Sequence, residues 1–177
     1  MNDEQLKQRA GRIKMVILDV DGVMTDGKVH ISAEGIESKA FYIRDGFGII
    51  MARRAGLKFA IITGLKSPIV EHRARQLGIE EVHQGFVDKI DVLNDILTRH
   101  NLDSSEAAYM GDDLFDLPVL RKVGLSAAPA DAHPDILAEV DWVSSHPGGN
   151  GAVRGLIELI LKARDDWKTI CGEFIRL

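Results

Sequence analysis

The chain reads as an α/β domain built on a doubly wound parallel sheet. Three observations predict it. Short apolar, β-rich runs alternate with helix-length amphipathic segments. Two of those runs, MVILDV at 15–20 and AIITG at 60–64, are continuously apolar, as strands covered on both faces are. Both end in polar residues with a glycine close behind, the place where open α/β sheets carry their reactive groups.

Taken in order, the runs at 15–19, 58–63, 81–83, 107–111, 124–127 and 141–143 are the predicted strands. The segments at 45–55, 67–77, 89–100, 114–123, 134–138 and 152–168 are the predicted helices. Gly56 and Gly78 follow two of them, as C-terminal caps do. Right-handed crossovers between parallel strands follow from the βα alternation. Residues 1–14 are polar and receive no element. One stretch breaks the rhythm: Lys28-Val29-His30-Ile31-Ser32, a turn at Ala33-Glu34-Gly35, then Ile36 to Ile43. Its alternation predicts a β-hairpin at about 23–43 that projects over the first strand's tip. No other insertion is long enough for a lid, so residues 1–177 are expected to form one domain without a cap, ending in a helix and tail at about 152–177.

At 177 residues, with 45% hydrophobic and 28% charged residues, the composition is that of an ordinary globular domain. A net charge of −5 with dispersed Lys and Arg argues against nucleic acid as a partner. No apolar run reaches membrane-spanning length, which with the lone Cys171 points to the cytoplasm, with no membrane partner and no disulfide framework. The six histidines show no metal-ligand spacing.

The chemistry lies at the strand tips. Asp19-Val20-Asp21-Gly22 ends the first strand, and Gly111-Asp112-Asp113-Leu114-Phe115-Asp116 follows a later one. Alone, either pattern is equally well an acidic turn. Five carboxylates gathered at one edge, however, repel by roughly 1 to 4 kcal/mol per close pair. Such a fold needs a hard divalent cation, and oxygen ligands of this kind suit Mg²⁺. Thr63-Gly64, at another strand end, offers a hydroxyl and amides for an anion. Lys89, opening a helix after a short strand, is either a surface ion pair or a fixed charge opposing the acids.

In this order, D-x-D-G, a strand-end Thr, a Lys and a G-D-D-x-x-D motif resemble the haloacid dehalogenase superfamily of aspartyl phosphatases, over about residues 14–161. DVDGVMTDG, IRDGFGI, IVEHRA, GDDLFDLPVL, VGLSAAPADAHP and GGNGAVR are similar to its capless 3-deoxy-D-manno-octulosonate 8-phosphate phosphatases, which serve lipopolysaccharide synthesis. The resemblance implies a homotetramer whose hairpins and tails complete neighbouring sites. It implies Asp19 as nucleophile, Asp21 as general acid, and Mg²⁺ on Asp19, the Asp21 carbonyl and Asp112. Thr63, Gly64 and Lys89 then bind phosphate, and Asp113 and Asp116 orient the groups around them. Helix N-terminal capping is the competing role for those last two acids.

Arg44, Lys66 and Arg73 are candidates for a sugar carboxylate, with surface or interface ion pairing equally open. Gly148-Gly149-Asn150-Gly151 is read as a place where backbone approaches a ligand, or as a flexible turn. The apolar tail 174–177 suits docking onto a partner subunit. Leu65 stands where the resemblance calls for Arg, which leaves phosphates of nine-carbon sugar acids open as substrates. A phospho-acceptor receiver module is the alternative from another class, but the D-x-D motif comes first here and the G-D-D late. A silent tetramerisation domain is another, opposed by every catalytic position being filled.

Overall fold

The computed structural model describes residues 2–175. Along the chain these form α1 (Asp3–Gly11), β1 (Met15–Leu18), β2 (His30–Ile31), β3 (Glu37–Ser38), α2 (Ile43–Arg54), β4 (Lys58–Thr63), α3 (Pro68–Leu77) and β5 (Glu81–Gln84). There follow α4 (Ile90–His100), β6 (Ala107–Met110), α5 (Leu117–Leu120), β7 (Leu125–Ala128), α6 (Pro134–Glu139), β8 (Trp142–Val143), α7 (Ala152–Ala163) and α8 (Trp167–Phe174).

Six strands make one sheet in the order β5-β4-β1-β6-β7-β8, and every pairing in it is parallel. Because side chains alternate along a strand, each central strand feeds two cores. Val16 and Leu18 of β1, Phe59 and Ile61 of β4, and Ala108 and Met110 of β6 join the layer of α1, α2, α3 and α7. Met15, Ile17, Ala60, Ile62, Ala107 and Tyr109 face α4, α5 and α6. All four residues of β1 are fully buried, which is why it reads as an unbroken apolar run.

Parallel strands bring their C-terminal tips to one edge, and the central position of β1 puts its tip between those of β4 and β6. The amide of Asp19 donates to the carbonyl of Met110 at 3.1 Å, so the first acidic motif leaves the sheet beside the second. Gly22 then turns the chain at φ +89°, and a Cβ there would lie 2.0 Å from Asp112 Oδ2. Only glycine fits between the two motifs. The Gly148-Gly149 turn packs against this loop rather than standing open to a ligand. The Gly149 amide donates to Val23 at 2.9 Å, and a Cβ on Gly148 would meet the Gly22 carbonyl oxygen at 1.8 Å.

The hairpin is shorter than its sequence span, with two pairs, His30 with Ser38 and Ile31 with Glu37. Its turn is held by Ser32, whose hydroxyl accepts from the amides of Glu34 at 3.3 Å and Ile36 at 3.2 Å. The described residues contain no cap domain.

Three expected elements differ. Residues 3–11 form a helix whose capping box joins Asn2 and Gln5, a polar signal that apolar periodicity does not reveal. The single helix expected over 152–168 is two. Asp165 turns left-handed at φ +61°, while Arg164 donates to the carbonyls of Ile13 at 3.0 Å and Ala55 at 3.2 Å. Helix 114–123 shrinks to a 3₁₀ turn at 114–116 followed by α5, because Asp113 and Asp116 cap the turn and Pro118 lacks an N–H. Of the apolar tail, Arg176 and Leu177 lie outside the described residues.

Candidate active site

Lys89 is the N-cap of α4, and its ammonium is sealed beneath the strand tips with no exposed side-chain surface. It donates to Asp116 Oδ1 at 2.7 Å and to the Tyr109 hydroxyl at 3.0 Å. Its Nζ also lies 3.0 Å from Asp19 Oδ1, off the angle of a hydrogen bond, so that oxygen keeps no hydrogen-bond partner. The Phe115 ring covers the ammonium at 4.6 Å. Burying an ammonium is unfavourable by several kcal/mol unless partners compensate it. Here two carboxylates and a phenol do so.

Tyr109 is a residue that sequence reasoning missed. On β6 it reads as one more apolar side chain, yet its hydroxyl donates to Asp116 Oδ1 at 2.6 Å while accepting from Lys89. Asp116 in turn spends its other oxygen on the amides of Asp112 at 3.0 Å and Asp113 at 3.3 Å. Both Asp116 oxygens are thus committed inside the protein, and it orients Lys89 and the Asp112 loop. Asp113 caps the turn, accepting from the Leu114 amide at 2.7 Å. The capping geometry proposed for both acids from the sequence is therefore present, and in Asp116 it coexists with contact to Lys89.

Asp19, Asp112 and Asp116 each present an oxygen within 4.8 Å of the others. Asp116 is saturated, but Asp19 Oδ1 and Asp112 Oδ1 are buried without a hydrogen-bond partner. Three carboxylates this close, with Asp112 Oδ1 unpartnered and Asp19 Oδ1 met only by the Lys89 ammonium, are a hard-cation site by donor chemistry. Both carboxyls are held above the ordinary range. Burial, opposed by Lys89 and reinforced by Asp116, lifts the Asp19 carboxyl to about 6. Burial, with the charges of Asp19, Asp116 and Asp113, lifts that of Asp112 to about 8.

Thr63 ends β4 and is buried at the same edge, its carbonyl accepting from the amides of Gly85 at 2.9 Å and Phe86 at 3.1 Å. Gly64 follows, half-buried. Asp21, partly open to solvent, forms an ion pair with Lys39 of the hairpin's return leg, a second partner the sequence reading did not name. The proposed carboxylate binders scatter. Lys66 is exposed with its stem against Gly85, and Arg44 lines a groove with Tyr42, Phe47 and Arg154. Arg73 is held between α3 and α2, its guanidinium 5.5 Å from the Phe41 ring centre and close over Gly46.

Residues 65–156 match the family model of haloacid dehalogenase-like hydrolases, and together with the relatives below this shows that the chain belongs to that family. Within it, the chain is 45% identical to 3-deoxy-D-manno-octulosonate 8-phosphate phosphatase of Yersinia pestis, over 93% of this chain and 88% of that one. Its fold superposes with a TM-score of 0.95 on the Moraxella catarrhalis phosphatase of that name in complex with magnesium ion, phosphate ion and KDO. That match has 38% identity and covers 98% of this chain and 99% of the other. The cobalt-bound Haemophilus influenzae enzyme matches at 40% identity and a TM-score of 0.86, covering 89% of this chain and 92% of the other.

Two outcomes test this geometry. Tyr109→Phe removes one partner each from Lys89 and Asp116, so we expect about 1–3 kcal/mol lower stability in urea unfolding. Turnover should fall ~10-fold with KM little changed, as for groups that orient reacting residues. Because the folded-state values of Asp19 and Asp112 lie above the ordinary carboxylate range, their contribution to stability is fully present below about pH 4 and is lost as pH rises through about 6 and 8. A divalent cation binds the deprotonated pair, so the rise in Tm produced by Mg²⁺ should grow from pH 5 to pH 8.5. A pH-independent rise would contradict the assignment.

Proposed function

We propose that this protein is a magnesium-dependent phosphoric monoester hydrolase acting on 3-deoxy-D-manno-octulosonate 8-phosphate, releasing the sugar acid and phosphate for lipopolysaccharide synthesis. The observation that carries the reading is the pair of orphaned oxygens on Asp19 and Asp112, in a chain that superposes almost end to end on a relative named with magnesium, phosphate and KDO.

In the mechanism we assign, Asp19, the Asp21 carbonyl and Asp112 would hold the cation. Magnesium, when bound, neutralises these acids and polarises a phosphoryl oxygen. An oxygen of Asp19 attacks phosphorus, forming an aspartyl phosphate as the bond from phosphorus to the ester oxygen breaks. Asp21 gives its proton to the departing alkoxide, then takes one from water as that water attacks phosphorus and frees Asp19. Lys89 supplies fixed positive charge against Asp19. Its ammonium, 3.0 Å from Asp19 Oδ1, balances the phosphoryl charge from beneath, while Thr63 and the Gly64 amide bind the phosphoryl oxygens. Asp116 and Tyr109 keep Lys89 in place, and Asp113 holds the loop that carries Asp112.

Leu65, just over half exposed beside Thr63, supports a second substrate reading. An apolar side chain there removes a donor fork that a sugar carboxylate would use, which leaves nine-carbon sugar-acid phosphates in the same class. Arg44, Lys66 and Arg73 are the candidates for binding the sugar carboxylate, with surface or interface ion pairing as the competing role.

A homotetramer fits the surface. Val29, Ile31 and Ile36 of the hairpin and Leu65, Phe86 and Val87 at the strand tips are exposed apolar side chains. Among the described residues no helix is long and apolar enough to cross a membrane, and we place the enzyme in the cytoplasm.

Phosphate release from the eight-carbon ester should exceed release from its nine-carbon counterpart and should require Mg²⁺. It should fall by ~10⁴-fold or more in Asp19→Asn, by analogy with losing any covalent nucleophile. Activity that survives this substitution removes the nucleophile assignment. Sedimentation should give the mass of four chains, and a fully active monomer would overturn the shared-site reading.

A further inference from the structure

The hairpin is solvent-exposed along both strands, with His30, Ile31, Glu37 and Ser38 all on the surface. Lys39, the next residue, is the exception. Its side chain is 1% exposed and its ammonium is paired with Asp21. Lysine is among the residues least often buried, and when it is buried it is paired. Here the chain leaves the hairpin by turning this one side chain inward, onto the acid that flanks the nucleophile.

Among the described residues Asp21 is the one hydrogen-bond acceptor of the Lys39 ammonium, which has three N–H donors. Asp21 is itself 22% exposed at the side chain. A donor and an acceptor thus stand side by side where the ester oxygen of a bound phosphate must meet Asp21. The geometry points to Lys39 as a specificity-determining residue: we propose that its ammonium donates to a hydroxyl on the carbon next to the phosphorylated one. The inference rests on the phosphatase reading above and adds to it the feature of the leaving group that is read.

The chemistry selects this feature. A hydroxyl one carbon beyond the ester carbon lies close to the ester oxygen, so of the groups around the site the one paired with Asp21 is placed next to it. Hydroxyls both accept and donate, and the Asp21–Lys39 pair offers both complements. An aryl or unsubstituted alkyl leaving group offers no acceptor to the Lys39 N–H groups that Asp21 does not engage, the situation in which polar sites discriminate. A lysine that only tethered the hairpin would treat both kinds of leaving group alike.

The test is a cycle between protein and substrate. Wild-type protein and Lys39→Met are compared on 3-deoxy-D-manno-octulosonate 8-phosphate and on its analogue lacking the hydroxyl at the carbon beside the phosphate, with Mg²⁺ present. We expect wild type to favour the hydroxylated ester by ~10-fold or more in kcat/KM, and Lys39→Met to reduce that preference below ~2-fold, as removal of one buried hydrogen bond predicts. Lys39→Gln, which keeps a polar side chain, guards against misfolding of the first variant and should likewise weaken the preference. Equal losses on both esters, or a preference that persists without the ammonium, overturns the role of Lys39 and leaves the phosphatase intact. Wild-type protein that hydrolyses neither ester sinks the phosphatase reading, and the Lys39 role with it.

Discussion

A single buried ammonium makes the acidic edge possible. Lys89 sits under Asp19 and Asp116, and without it the strand tips would bring like charges together in a region stripped of water. One cation is still too little. Asp112 is held far above the ordinary carboxylate range by burial and by its acidic neighbours, and its Oδ1 is buried without a hydrogen-bond partner. The protein therefore folds into an arrangement that is electrostatically unfinished. That deficit is what gives the site affinity for a divalent cation and, through it, for a phosphate dianion.

The layout around this deficit assigns different work to different elements. Sheet topology brings the tips of β1, β4 and β6 together, and local turns decide what each tip presents. Asp116 is drawn inward to organise Lys89 and the Asp112 loop, while Asp19 and Asp112 keep an oxygen uncommitted. Acids of identical chemistry thus diverge according to how many donors each meets.

Much of this was legible in the residues. Six parallel strands, the hairpin and the four motifs follow from apolar runs, glycine punctuation and polar strand ends, because burial on both faces leaves an unmistakable composition. What escaped shares a physical cause. Tyr109 and Lys39 act through one polar atom at the end of a side chain, and their sequence context describes only the backbone carrying them. The break near Asp165 escaped because Arg164 is drawn to carbonyls of Ile13 and Ala55, partners distant along the chain. The first helix escaped because its signal is a polar cap instead of a periodic face. Family membership, by contrast, accords with the order of motifs, since that order is imposed by sheet connectivity.

The contact between Gly148-Gly149 and the turn after Asp21 has a temporal side. Synthesis runs from the N-terminus, so the loop that follows Asp19 emerges well before the Gly148-Gly149 turn. The backbone that braces it, through Gly149 to Val23, is made only after all six of the sheet's strands. A growing chain therefore carries the Asp19 carboxylate long before its brace exists, and the loop is held in place only once the distant Gly149 has been made.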